Sequence, residues 1–189
     1  MSKGRVCIID DEVITRMDLR EMIIDAGYEV VGEGRDGLTA IELVKSNNPD
    51  LTIMDVKMPG LDGIDAAKLM AIENLGPVLL LTAFTDQKFI SRAQNVGIMG
   101  YLVKPVSEVD LVAAIPLAIQ RHRDMERLKT QIVRLNEHIE NSKVVERAKG
   151  VLMVKYGLSE DESHRRLQKL SMQKNLNMAR AAMEILTTK

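Results

Sequence analysis

Five short apolar runs, four of them followed at once by a polar residue and each leading into a helical pattern, constrain this chain more than any other feature. They are Val6–Ile9, Tyr28–Val31, Leu51–Met54, Pro77–Leu81 and Gly100–Val103. Runs of this length bounded by turn residues read as buried strands. Between them apolar residues recur at helical spacing. Ile14, Met17, Leu19, Met22, Ile23 and Ala26 form the first such stripe, which Gly27 ends, and Leu38, Ile41, Leu43 and Val44 form the second, which Asp36-Gly37 opens. Asp62 is placed to cap a third helix through Ile64, Ala67, Leu69 and Ile72, a fourth is expected from about Asp86 to Gly97, and Ser107 with Asp110 marks the start of a fifth. Alternation of five strands with five helices predicts an α/β domain with a parallel, doubly wound sheet and right-handed crossovers.

A parallel sheet gathers its strand ends at one edge, and in open sheets that edge carries the chemistry. Here it would hold Asp10 and Asp11 after the first strand, Asp55 after the third, Thr82 after the fourth and Lys104 after the fifth. Each alone has a plain structural use as a cap, a turn former or a solvated charge. Together they form a set. Carboxylates that converge cannot all stay ionised without a cation between them, and an oxygen-lined site suits Mg2+. A carboxylate beside such an ion is a competent nucleophile towards a phosphoryl group. The transferred group carries its charge on its outer oxygens, where an ammonium and a hydroxyl are useful.

The net charge of −1 conceals a division. Residues 1–120 hold 11 Lys and Arg against 18 Asp and Glu, and residues 121–189 hold 15 against 9. An acidic first part and a basic second part suggest two tasks, with a polyanion as a partner for the second; a solvated basic helix face is the plainer reading of charge alone. Aromatic residues make up 3% of the chain, which argues against an extended base-stacking platform. The single Cys7 lies in an apolar run and reads as a packing residue, and its count excludes a disulfide framework. No run has the length of a membrane span, so a cytoplasmic protein without a membrane partner is expected.

From Ser107 to Lys155 the pattern is almost unbroken helix, with Pro116 expected to kink it or remove a backbone bond. Met125, Leu128, Ile132, Leu135 and Ile139 follow a 3, 4, 3, 4 spacing, which is that of a coiled-coil seam. The stripe serves a dimer or packs on the chain's own C-terminal helices. Val144, Val145, Ala148, Val151, Leu152 and Val154 are read as the apolar face of the last part of this helix, which Gly157 ends. Ser159 and Glu162 form a capping-box signal for a helix carrying Leu167 and Leu170, and a last short helix runs from Met178 to Leu186. The organisation is thus a first domain at 1–120, a helical coiled-coil linker at 121–142 and a small all-α three-helix domain at 143–189.

The stretches Ile9–Glu12, Met54–Gly63, Leu81–Ala83 and Gly100–Pro105 resemble the motifs of the receiver domain of two-component response regulators. That resemblance covers residues 5–120. It implies a flavodoxin-like sheet of order 2-1-3-4-5, with Asp55 as phosphoacceptor. Mg2+ would be held by Asp10, Asp11, Asp55 and the Lys57 backbone carbonyl. Thr82 and Lys104 would bind the phosphoryl group, Tyr101 would be the aromatic switch, and the Lys104–Pro105 peptide would be cis. The phosphodonor it implies is a sensor histidine kinase, and the chain would be no enzyme beyond taking, and hydrolysing, its own phosphoryl group.

Residues 134–189 resemble the ANTAR domain of AmiR- and NasR-type antiterminators, through Val145–Met153, Gly157–Glu162, Leu167, Leu170, Asn177, Ala182 and Ile185-Leu186. Ser163, His164 and Ser171 depart from the family's usual small apolar and aromatic residues. The implied function is binding of stem-loops in nascent mRNA leaders by a homodimer formed on phosphorylation, which prevents transcription termination. The charged candidates for RNA contact are Arg147, Lys149, Lys155, Arg165, Arg166, Lys169, Lys174 and Arg180. Gly150 joins them because a glycine inside a helix, costing about 1 kcal/mol against Ala, suggests close approach of RNA or of another helix. A receiver controlling a DNA-binding module is the alternative. A protein-interaction module is a third possibility.

Overall fold

The computed structural model describes residues 2–83 and 97–187; the helix expected from Asp86 to Gly97 lies outside the described residues. The chain divides into two compact units, Met1–Glu126 and Arg127–Lys189.

The first unit is an α/β domain. In chain order its elements are β1 (Arg5–Ile9), α1 (Val13–Asp25), β2 (Glu29–Gly34), α2 (Gly37–Asn47), β3 (Leu51–Asp55), α3 (Gly63–Ile72), β4 (Val78–Thr82), β5 (Gly100–Val103) and the first part of α4 (Glu108–Tyr156). All neighbouring strand pairs are parallel, in the order β2-β1-β3-β4-β5. The alternation of side chains along a strand sorts the core into two layers. Val6, Ile8, Leu51, Ile53, Leu79 and Leu81 face one layer with α1 and the start of α4. Ile9, Met54, Val78 and Leu80 face the other with α2 and α3. Each of these fully buried aliphatic side chains contributes about 1.5–3 kcal/mol of transfer free energy. Cys7 is buried within β1, and burial pushes its thiol up to about 11, which suits a packing residue.

Helix starts follow the side-chain signals. Asp36 accepts from the Thr39 N–H, and Asp62 from the Asp65 N–H. The α1 stripe is narrower than its sequence suggests. Leu19 and Ile23 are buried, whereas Ile14 and Met17 are 76% and 64% exposed. At roughly 100° per residue, Ile14 and Met17 fall on the face opposite Leu19, away from the sheet.

Helix α4 runs through Pro116 without interruption. Proline removes a helical hydrogen bond, but Leu111, Ile115, Ala118 and Ile119 on both sides of it are buried against the sheet, and this packing holds the helical course. Further along, Met125, Leu128, Ile132, Leu135 and Ile139 are all exposed. Packing of this stripe on the chain's own C-terminal helices is therefore not what the structure adopts.

The second unit contains the rest of α4, α5 (Glu160–Lys174) and α6 (Met178–Thr187). Ala148, Leu152, Leu167 and Ala182 form its core. Val154, read from sequence as part of this face, is 90% exposed. It lies six residues from Ala148, roughly 120° away round the helix. The Ser159–Glu162 capping box is complete, and Asn175 ends α5 in a left-handed conformation. Among the described residues no helix is long and apolar enough to cross a membrane.

Candidate functional site

The C-terminal ends of β1, β3 and β5 meet as the topology requires. Asp10 is fully buried directly after β1, and Asp55 closes β3 at 7% exposure. Lys104 follows β5, and its ammonium donates to both, at 2.6 Å to Asp10 Oδ2 and 2.8 Å to Asp55 Oδ2. Its peptide bond to Pro105 is cis, as expected. The other oxygen of Asp10, Oδ1, accepts from the Glu12 N–H at 2.9 Å. Asp11 is exposed, yet one oxygen from each of Asp10, Asp11 and Asp55 lies within 4.8 Å of the others.

Burial dominates the electrostatics of Asp55. It raises the carboxyl pKa above the ordinary 3.8, and the hydrogen bond from Lys104 only partly offsets it. For Lys104 burial pulls the pKa down, but hydrogen bonds to Asp10 and Asp55 outweigh it and leave the ammonium more firmly protonated. Among the described residues the site is thus an acid cluster in which Lys104 is the paired cation and negative charge is in excess. Three oxygen donors at this spacing fit a hard divalent cation such as Mg2+, which is commonly held by one or two carboxylates together with waters.

Of the remaining strand-end residues, Thr82 is 1% exposed at the end of β4, one residue beyond Leu81, the register partner of Asp55. Tyr101 on β5 is 47% exposed. Lys57 has an exposed side chain and sits in the turn that leaves Asp55. That turn is tied at both ends, by the Val56 N–H to the Leu81 carbonyl and by the Gly63 N–H to the Val56 carbonyl, each at 2.9 Å.

Two supporting residues escaped the sequence reading. Arg16 donates to the Asp10 carbonyl at 2.6 Å and so braces the acidic loop from α1. Its position one turn into that helix is the only sequence signal. Gly63 begins α3 directly against the Asp55 main chain, where a Cβ would stand 2.0 Å from the Asp55 carbonyl oxygen.

The second unit distributes its basic residues unevenly. Lys155, Arg166, Lys169 and Lys174 line one groove between α4, α5 and α6, with a volume of about 550 Å3. Arg147, Gly150 and Lys155 line a second, shallower recess. Arg165 and Arg180 are exposed outside both. Lys149 departs from its expected part as a phosphate contact: it is 7% exposed, and its ammonium is shared by Glu160 at 2.6 Å and Glu146 at 3.0 Å. Those hydrogen bonds, Glu160 first, raise its pKa. It ties the end of α4 to the start of α5. Gly150 has nothing within 4 Å of a Cβ built on it, so no neighbouring helix among the described residues requires a glycine there.

Comparison with known proteins agrees with this geometry. Residues 6–116 match the response regulator receiver domain, and residues 133–186 match the ANTAR domain. The chain is similar to the transcriptional regulatory protein PdtaR of Mycobacterium tuberculosis (strain ATCC 25618 / H37Rv), at 46% identity over 97% of this chain and 90% of that one. It is also similar to the chemotaxis protein CheY of Thermotoga maritima, at 38% identity over 59% of this chain and 93% of that one. Among solved structures, the receiver domain of the response regulator NarL from Mycobacterium tuberculosis superposes with a TM-score of 0.60 at 30% identity, covering 64% of this chain and 98% of that one.

Proposed function

We propose, from the premise that this chain belongs to the two-domain response regulators with a receiver followed by an ANTAR domain, that it is a phosphorylation-activated RNA-binding antiterminator. The observation that carries the reading is Lys104 bridging Asp10 and Asp55 in a chain that also bears an ANTAR domain.

Asp55 is the nucleophile. Its carboxylate oxygen forms a bond to phosphorus as the bond to the imidazole nitrogen of a sensor histidine kinase breaks, and the imidazole leaves with the electron pair. Asp10, Asp11, Asp55 and the Lys57 carbonyl would hold Mg2+, which supplies positive charge to the phosphoryl oxygens. Lys104 and Thr82 follow the charge onto the new group, and Tyr101 responds to Thr82. The chain takes the phosphoryl group on its own side chain and loses it by hydrolysis, and it turns over no separate substrate.

The exposed stripe Met125, Leu128, Ile132, Leu135 and Ile139 has the spacing of a dimer seam. A homodimer presents two ANTAR domains, and binding of paired stem-loops in a nascent leader gains from effective concentration. Bound stem-loops keep the terminator from forming. This work takes place in the cytoplasm, with the transcript.

The test is one binding competition at fixed salt. The full chain, loaded with beryllofluoride and Mg2+, is offered leader RNA hairpins and duplex promoter DNA, while sedimentation reports its mass. RNA preference with a doubling of mass is expected, with both responses absent in Asp55→Ala and the doubling absent in a Leu128→Asp/Ile132→Asp variant. Preference for duplex DNA, or an undiminished response in Asp55→Ala, overturns the reading.

A further inference from the structure

Tyr156 is the only aromatic residue after Tyr101. Tyr is a residue of intermediate burial, and the core of this unit is built without it, from Ala148, Leu152, Leu167 and Ala182. Tyr156, the last residue of α4, remains 51% exposed. Its ring forms part of the wall of the basic groove described above. The Arg166 guanidinium lies 4.8 Å from the ring centroid and the Lys155 ammonium 5.9 Å from it. Leu152, Leu170 and Ile185 add apolar surface to the lining of the same groove.

This combination is that of a stacking site. The Arg166 guanidinium lies over the ring, and a base can stack on the ring's remaining exposed surface or on the outer face of that guanidinium. Ammonium groups at the rim attract a backbone of negative charge. A base within a duplex has both faces covered by its neighbours, whereas a base in a loop can be splayed out onto an aromatic ring.

We propose that the groove binds one unstacked base of a single-stranded RNA loop, which stacks on Tyr156 and Arg166 while Lys169 and Lys174 take the flanking phosphates. The inference rests on the RNA-binding reading and deepens it. Lys174 is paired with Glu184 on α6, so a phosphate arriving there takes over an ammonium now held by a carboxylate. Gln173 in the lining carries an amide able to donate to and accept from a base edge, which gives the groove a means to prefer some bases over others.

The full-length protein, loaded with beryllofluoride and Mg2+, is used to select a hairpin from an RNA pool with a fixed stem and a randomised loop. Each loop nucleotide of the selected hairpin is then made abasic in turn. One position is expected to weaken wild-type binding by about tenfold to a hundredfold. Tyr156→Leu is expected to lose the same factor and to become indifferent to that abasic change, while Tyr156→Phe retains both. The slope of log K against log salt stays unchanged in Tyr156→Leu and falls by about 0.7 in Lys169→Ala. Tyr156→Leu binding as tightly as wild type overturns the inference. So does a uniform loss against every abasic hairpin accompanied by a lower Tm, which would make Tyr156–Arg166 a structural tie only. Failure of the wild type to capture any hairpin would sink the RNA reading itself.

Discussion

Gly63 meets the main chain of Asp55 so closely that a Cβ at position 63 would stand 2.0 Å from the Asp55 carbonyl oxygen. No rotamer relieves such a clash, because both atoms belong to the backbone framework. Gly63→Ala must therefore shift the turn that carries Asp55 and Lys57. A stability loss of about 1–3 kcal/mol is expected from overpacking, read by denaturant unfolding, together with weaker uptake of phosphoryl groups from acetyl phosphate. Unchanged uptake would separate Gly63 from the site.

Asp55 gives the pH dependence its sign. Its folded pKa lies above the ordinary 3.8, chiefly through burial, so the folded state retains a proton that the unfolded state has released. Stability is therefore fully present below pH 3.8 and falls as pH rises through the raised value. Asp55→Asn removes that loss. Without divalent cations it should raise Tm at pH 7, and the gain should vanish as the pH is brought down to the ordinary carboxylate range. A thermal-shift series from pH 4 to 8 measures it.

Lys149 and Lys169 are expected to separate in a salt titration of RNA binding. Lys149 spends its charge on Glu160 and Glu146, so Lys149→Met should lower the Tm of the second unit while leaving the slope of log K against log salt as it was. Lys169→Ala should do the reverse, because its ammonium lines the open groove.

Ser163 is fully buried, and its Oγ has no hydrogen-bond partner among the described residues. Burying an unmatched hydroxyl costs about 1–3 kcal/mol in proteins. Ser163→Ala should raise stability by about 1 kcal/mol or more in urea unfolding. A neutral or negative change would mean that the hydroxyl is satisfied.

Gly150 sits within α4 facing open space. Gly150→Ala should add about 0.5–1 kcal/mol through helix propensity alone, measured in the same way. An accompanying loss of RNA affinity would identify a close approach of RNA to this face.

The first unit was legible where one signal sufficed. Asp10, Asp55 and Lys104 each follow a strand, and parallel topology does the rest. Caps such as Asp62 and Ser159 depend on neighbours only three residues away, so they could be read directly. The α1 stripe is broader in sequence than in the fold because Ile14 and Met17 are apolar but lie away from the sheet; hydrophobicity reveals a face only when its phase is known. Lys149 looked like a phosphate contact because a charge count carries no information on burial or on a partner eleven residues away. The parts played by Gly63, Arg16 and Tyr156 leave no local signal for the same reason: they arise from tertiary neighbours.

Lys104 has one more consequence. It is four residues ahead of Glu108, where α4 begins, and its ammonium is anchored on Asp10 and Asp55. It therefore ties the acid cluster to the root of α4. A strand end and a helix root joined through one side chain make the acid cluster a mechanical anchor point as much as a chemical one.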